Sequence, residues 1–129
     1  LVLLTSSLYL IVYAGDYLLF FIGWEIMSIS SYFFLSYTLS KEALIKYIVF
    51  AIASALSMFM AILILYSQNH SFLYADISAS FEMLNYTYRF LFIGLMLFAI
   101  FVKLGVIGFH YWLVDAYEQS HHIFTPFLS

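Results

Sequence analysis

The sequence predicts an all-α integral membrane protein with about four to five transmembrane helices, one of them broken near Gly105–Gly108, and a short interfacial helix. Of its 129 residues, 66% are hydrophobic and 9% are charged, and the mean hydropathy is +1.04. An ordinary globular domain is about half apolar and about one quarter charged. Several apolar runs also reach the length of about 20 residues that a helix needs to cross the hydrocarbon core. Because no repeat or interdomain linker interrupts the chain, residues 1–129 are expected to form a single transmembrane helical unit.

The composition also excludes several classes of function. Four Lys and Arg residues against seven Asp and Glu give a net charge of −3, which provides no basic surface for nucleic acid. The absence of Cys rules out disulfides, iron–sulfur ligation and Cys-based zinc sites within the chain. Redox chemistry must therefore take place elsewhere. Fifteen Phe and twelve Tyr beside a single Pro indicate an AT-rich genome, such as that of an organelle.

The N-terminal half is predicted to contain two complete spans. A first apolar segment ends at Tyr13 and has the character of the remainder of a membrane helix. After a polar break, the second span runs from about Tyr17 to Leu39. The third span begins at Ser40, which is placed to cap the helix, and ends near Tyr66.

The C-terminal half begins with a polar connection, residues Ser67–Arg89, that is expected to hold the interfacial helix. The fourth span starts near Phe90 and carries Lys103. Gly105 and Gly108 follow, and they predict a break that is tolerated at membrane depth only where protein or water surrounds it. The last residues, FTPFLS, are expected to begin another span. The interfacial helix is indicated by apolar residues at helical spacing: Leu73, Ile77, Phe81 and Leu84.

Two ionisable residues, Glu25 and Lys103, lie inside apolar spans. An ionised Lys at the centre of a membrane helix costs about 2.5 to 3.5 kcal/mol, so it normally faces a protein interior or a wet cavity and has a partner. Glu25 shares a helical face with Ser28, Tyr32 and Ser36, a polar stripe that suits a hydrated path. These features favour proton handling, although Glu25 could also be a structural residue neutralised by hydrogen bonds.

Lys46 and His110 are weaker candidates on their sequence context alone. Lys46 stands near the start of the third span, where a Lys can extend to the lipid headgroups without further function. His110 follows Lys103 by seven residues, so it could relay protons from the same helical face. It could equally satisfy backbone groups at the helix break. Both alternatives remain open for each residue.

No metal site is predicted. His121 and His122 are adjacent, so their side chains would point in different directions in a helix, and no Cys supports them. They are expected to be loop residues. Asp115 and Glu118 follow the last apolar run and are expected near the membrane interface, where solvated carboxylates need no special purpose.

Three segments together resemble a known family: GDYLLFFIGWEIMSISSYFFLSY, then KEALIKY, then KLGVIGFHYWLVDAYEQSHHIFTPFLS. In this order and spacing the chain resembles the antiporter-like membrane subunits of respiratory complex I, and most of all the chain 2 members, called chain N in bacteria. The resemblance covers nearly the whole sequence. It departs from the family where Gly108 and Val114 replace prolines and where residues 121–123 replace a Pro-Thr-Pro segment.

The resemblance implies a proton-translocating subunit of NADH:ubiquinone oxidoreductase, in which quinone reduction elsewhere drives proton transfer. It implies that Glu25 pairs with Lys103, that Lys103 is the central proton-carrying amine, and that Lys46 belongs to the same hydrated channel. His110, Trp112 and Asp115 also fall on positions of the family pattern. No cofactor is expected in this chain, while flavin, iron–sulfur clusters and ubiquinone are expected in partner subunits.

The resemblance also implies partners and a location. The family has more membrane helices than this chain, so the chain is expected to be a fragment or a naturally split subunit. A second polypeptide that supplies the missing helices is expected, together with other membrane subunits of complex I and lipids. The expected location is the mitochondrial inner membrane, with the bacterial inner membrane as the alternative. Two other functions remain open: a secondary cation/proton antiporter subunit, and a structural fragment of complex I without pumping.

Overall fold

The computed structural model describes residues 2–106 and 108–119, which are almost entirely helical. Three of their helices are long and apolar enough to cross a membrane: α2, α3 and α5. The predicted all-α membrane fold is thus confirmed. The predicted continuation at FTPFLS, and His121 and His122, lie outside the described residues. The helices are α1 (Val2–Val12), α2 (Tyr17–Leu35), α3 (Lys41–Asn69), α4 (Tyr74–Ser80), α5 (Tyr86–Leu104) and α6 (Tyr111–Gln119), with a 3₁₀ turn at Phe81–Met83.

Polar side chains fix the starts of α2 and α3. The Asp16 carboxylate accepts a hydrogen bond from the Leu19 backbone N–H at 2.7 Å, and the Ser40 hydroxyl caps α3 as predicted. α2 ends at Leu35, four residues before the predicted end at Leu39. The chain closes into a turn there, in which the Leu39 N–H donates to the Leu35 carbonyl at 2.9 Å.

α3 is longer than predicted and packs closely against α5. It continues to Asn69 instead of ending near Tyr66, and it stops where His70 adopts a left-handed conformation with φ of 54°. Leu73 is exposed, but Ile77 of α4 and Leu84 are buried against the end of α3, so the predicted interfacial helix is present in shortened form. The segment therefore lies across one end of the helix bundle.

Small residues allow α3 and α5 to approach each other. The Ser54 hydroxyl donates to the Ala99 carbonyl at 2.9 Å, and the Ser57 hydroxyl donates to the Leu95 carbonyl at 2.8 Å. Ser54, Ala61 and Ala99 have no exposed surface. Hydrogen bonds of this kind between membrane helices contribute about 0.6 kcal/mol each on average. They fix the rotation and the register of α5 against α3.

Gly105 ends α5 and produces the predicted break. It adopts a left-handed conformation with φ of 63°, which Gly reaches without steric cost. Its N–H donates to the Val102 carbonyl at 3.3 Å, and the Val106 N–H donates to the Phe101 carbonyl at 3.0 Å. These two bonds form a Schellman motif, which closes a helix C-terminus. The chain therefore leaves the axis of α5 at Gly105, two residues after Lys103.

Gly23 is required for the close packing of α1 on α2, and its replacement gives a first prediction. A Cβ at Gly23 would lie 2.9 Å from Cγ1 of Ile11 and 3.2 Å from its backbone N, whereas a Cβ at Gly94 in α5 would meet no atom within 4 Å. Both Gly-to-Ala changes gain about 1 kcal/mol of helix propensity. Only Gly23→Ala should also incur an overpacking cost of about 1 to 3 kcal/mol.

The measurement is the free energy of unfolding in detergent, with Gly94→Ala as the matched control. We expect Gly23→Ala to be less stable than Gly94→Ala by the overpacking cost of about 1 to 3 kcal/mol. Equal stability of the two variants would contradict the close contact between α1 and α2.

Candidate functional site

Lys103 is the penultimate residue of α5, and its side chain crosses to α2. The amine Nζ donates a hydrogen bond to Ser28 Oγ at 2.5 Å. It also lies 5.7 Å from the ring centroid of Tyr47 and 6.0 Å from that of Trp24, within reach of cation–π attraction. The carbonyl end of α5, which carries partial negative charge, suits a positive side chain at this position. Lys103 thus faces the protein interior, as the cost of burying its charge predicted.

Ser28 connects three helices at this point. Its hydroxyl accepts from Lys103 and donates to the Trp24 carbonyl at 2.9 Å. Its own backbone carbonyl accepts a hydrogen bond from the Tyr47 hydroxyl at 3.0 Å. Ser28 and Tyr47 are both buried. α2, α3 and α5 therefore meet at a single hydrogen-bonded junction.

Glu25 lies about one helical turn before Ser28 and is half-buried. Its Oε1 atom is buried and has no hydrogen-bond partner among the described residues. The charges of Glu25 and Lys103 are close enough to interact electrostatically. However, within residues 2–106 and 108–119 the hydrogen bond of Lys103 is accepted by Ser28 and not by Glu25. The structure thus brings the two residues to one site without a direct ion pair.

Two cavities flank the junction. The first, which we call the Glu25 cavity, has a volume of about 220 Å³, and its polar lining residues are Glu25, Ser28, Tyr32 and Tyr47. The second, which we call the Lys103 cavity, has a volume of about 180 Å³, and its polar lining includes Ser31, Tyr47, Lys103 and the Trp112 indole. The remaining lining of both is apolar. The carboxylate and the amine therefore open onto different spaces.

Lys46 and His110 line neither of these two cavities. Lys46 is exposed on α3 and lines neither cavity. The His110 Nδ1 atom accepts a hydrogen bond from the Gly108 backbone N–H at 3.3 Å, and its ring stacks on Tyr111 at 4.8 Å. Its carbonyl accepts from the Val114 N–H at 3.0 Å, which starts α6. His110 thus satisfies backbone groups at the break, and a part in proton transfer stays a prediction for both residues.

Trp112 holds the broken helix against the site. Its indole N–H donates to the Val102 carbonyl at 3.1 Å, and its ring packs edge-on against Tyr47 at 5.3 Å. Ala116, one turn later, is buried in the same cluster. Trp112 of α6 therefore forms part of the wall of the Lys103 cavity.

Tyr47 and Ser31 line the cavities, but neither was predicted from the sequence as a site residue. A signal for Tyr47 was available, because Tyr47 precedes Ser54 by seven residues and so lies on the face of α3 that packs on α5. Ser28 was included only as a member of the Glu25 stripe. That stripe is shorter than predicted: Ser28 and Tyr32 line the Glu25 cavity, whereas Ser36 is exposed and bonds to its own helix.

These features define a helical membrane protein with a hydrogen-bonded Lys and a half-buried Glu between its spans. Residues 14–129 match the family described as the NADH:quinone oxidoreductase/Mrp antiporter transmembrane family. The chain belongs to this family.

Individual relatives agree with the family match. NADH-quinone oxidoreductase subunit N of Acinetobacter baumannii is 37% identical over 126 residues, which cover 93% of this chain and 25% of that protein. NADH-ubiquinone oxidoreductase chain 5 of Paramecium tetraurelia is 28% identical over 128 residues, 88% of this chain and 22% of that protein. The chain thus spans about a quarter of the length of such relatives.

A solved structure shows the same fold. The membrane-bound sulfane sulfur reductase, described as an archaeal respiratory membrane complex, contains a chain that superposes with a TM-score of 0.82 at 33% sequence identity. The match covers 92% of this chain and 19% of the other. The helix arrangement described above is therefore shared with a respiratory membrane assembly.

Proposed function

We propose that the chain is part of a proton-translocating membrane subunit of a respiratory NADH:quinone oxidoreductase. Membership of the family and the names of the relatives support this proposal. The observation that carries it is the hydrogen bond from Lys103 to Ser28, with Glu25 one turn away on the same helix. An amine and a carboxylate between apolar spans are typical of proton pathways.

The junction has the parts that proton transfer needs. Lys103 can give up and take back a proton, because the ε-amine of a buried Lys readily changes protonation. The free Oε1 atom of Glu25 is an acceptor that no described side chain occupies. Each group faces its own cavity, from which water can supply or remove a proton. Charge changes in neighbouring subunits would then shift the proton between the two groups.

The proposal includes partners and a location. Because the chain has no Cys to ligate iron–sulfur clusters, these clusters would be bound by partner subunits, which would also bind the flavin and the quinone. The proposed partners are a second polypeptide with further membrane helices, other membrane subunits and lipids. The aromatic-rich composition supports the mitochondrial inner membrane, with a bacterial inner membrane as the alternative. Co-purification through a tag on this chain would identify the subunits and the compartment.

A second function is a cation/proton antiporter, since the matched family also includes Mrp antiporters. The same purification separates the two functions. Flavin and iron–sulfur subunits that copurify with the chain would support the respiratory enzyme. A complex that lacks them and exchanges Na⁺ for protons would support the antiporter.

A substitution at Glu25 tests the proposed function directly. Glu25→Gln keeps the shape of the side chain and removes its charge and proton, so proton translocation should fall while the complex still assembles. Loss of a positioned proton-transfer group lowers a rate by about 10²- to 10⁴-fold. The measurement is proton uptake per NADH oxidised in vesicles that contain the complex.

Glu42→Gln is the matched control, because Glu42 lies in the exposed first turn of α3. It should translocate protons like the wild type. If Glu25→Gln also pumped with unchanged stoichiometry in an intact complex, Glu25 would have no part in proton transfer.

A further inference from the structure

The Glu25 cavity and the Lys103 cavity are separate spaces that share one lining residue. Among the described residues, Tyr47 alone lines both cavities. It is 3% exposed, so its ring is enclosed by the neighbouring helices. Tyr47 and Ser28, which bonds to Lys103, thus stand between the Glu25 cavity and the Lys103 cavity.

Tyr47 is held in place at both ends of its side chain. The hydroxyl donates to the Ser28 carbonyl at 3.0 Å, and the ring packs against the Trp112 indole at 5.3 Å. The ring centroid is also 5.7 Å from Lys103 Nζ. The position of the ring thus depends on α2 through Ser28 and on α6 through Trp112. A shift of either helix would move it.

A proton pump requires such a barrier, because a continuous water path would let protons flow back without turnover. We propose that Tyr47 is a gate that separates the Glu25 cavity from the Lys103 cavity in the resting protein. The inference rests on the proposed proton-translocating function. The hydrogen bond from the Tyr47 hydroxyl to the Ser28 carbonyl holds the ring in the closed position of the gate. Release of that bond opens the path between Glu25 and Lys103.

The test is passive proton flux through the resting complex. The complex that contains this chain is placed in vesicles with an internal pH-sensitive dye, and a potassium potential is applied without NADH. Tyr47→Leu should raise proton uptake several-fold, because Leu fills less of the partition and lacks the hydroxyl. Tyr66→Leu is the matched control: Tyr66 lies on the same helix as Tyr47 and lines neither cavity, so its loss should leave the flux unchanged.

A double variant distinguishes a gate from a general packing defect. If the Lys103 amine carries the leaking protons, then Tyr47→Leu combined with Lys103→Met should return the flux to the wild-type level. A leak that persists in the double variant would show that Tyr47 only supports packing, and it would overturn the proposal. Wild-type flux in an assembled Tyr47→Leu complex would also overturn it.

Tyr47→Phe decides the question if Tyr47→Leu fails to assemble. It retains the ring and its contact with Trp112 but loses the bond to Ser28, so the flux should rise less than with Leu and should still depend on Lys103. Wild-type flux in Tyr47→Phe would overturn the gate. Pumping by Lys103→Met separates the two proposals. Wild-type pumping would reject the proton-carrying role of Lys103 on which the proposed function is argued. Lost pumping without a leak in the Tyr47 variants would reject only the gate.

Discussion

Lys103→Met should stop proton transfer through this subunit while the complex still assembles. Met is unbranched and close to Lys in length, so the contacts of α5 are retained and the burden of a buried charge disappears. The amine that carries the proton is lost together with its hydrogen bond to Ser28. The transfer rate should fall by about 10²- to 10⁴-fold. Proton uptake per NADH oxidised in sealed vesicles measures the effect.

Lys41→Met is the matched control, because Lys41 is exposed at the first turn of α3. It removes the same charge from the same chain, so a general effect of net charge would appear in both variants. We expect normal pumping in this control. An assembled Lys103→Met complex with unchanged stoichiometry would show that protons take a route without Lys103.

Gly105→Ala should destabilise the broken helix more than any other Gly-to-Ala change in the described part of the chain. Its left-handed conformation costs a residue with a Cβ about 1 to 2 kcal/mol. The Cβ would also lie 2.8 Å from Leu113 Cδ2 and 3.2 Å from Leu113 Cβ, which adds an overpacking cost of about 1 to 3 kcal/mol. The measurement is the free energy of unfolding in detergent.

Gly108→Ala separates the two causes. Gly108 also has a positive φ, 99°, but a Cβ there would meet no atom within 4 Å. It should therefore show the conformational cost without the packing cost. Gly105→Ala should in addition shift the emission of Trp112, since α6 has to move away from α5. Equal losses in the two variants would show that Leu113 adapts without cost.

The sequence was sufficient for features that depend on one helix or on the cost of burying a charge. The helix cap at Ser40 and the break at Gly105 follow from local backbone chemistry. The interior position of Lys103 follows from the cost of burying its charge. The end of α2 was placed too late, because Ser36 and its neighbours are apolar or small enough to continue a helix. The turn there depends on the start of α3.

The partner of Lys103 could not be derived from sequence. Whether the amine meets Glu25 or Ser28 depends on a shift of one helical turn between α2 and α5, which contacts with α3 determine. Tyr47 was overlooked for the same reason: a Tyr beside Lys46 gives no indication that it separates two cavities. The sequence left two roles open for His110, a proton relay and a partner for backbone groups at the break. The structure shows His110 bonded to the backbone N–H of Gly108 at the break.

The two serine bonds between α3 and α5 have a mechanical consequence. They fix α5 against α3, whereas α2 meets α3 near Lys103 at the Tyr47–Ser28 junction, which has a cavity on either side. The other end of α2 is pinned, because the Tyr17 N–H donates to the Phe72 carbonyl at 3.0 Å. A change in the distance between Ser28 and Lys103 would therefore displace the Ser28 end of α2 relative to α3 and α5, while its start at Tyr17 stays bonded to Phe72.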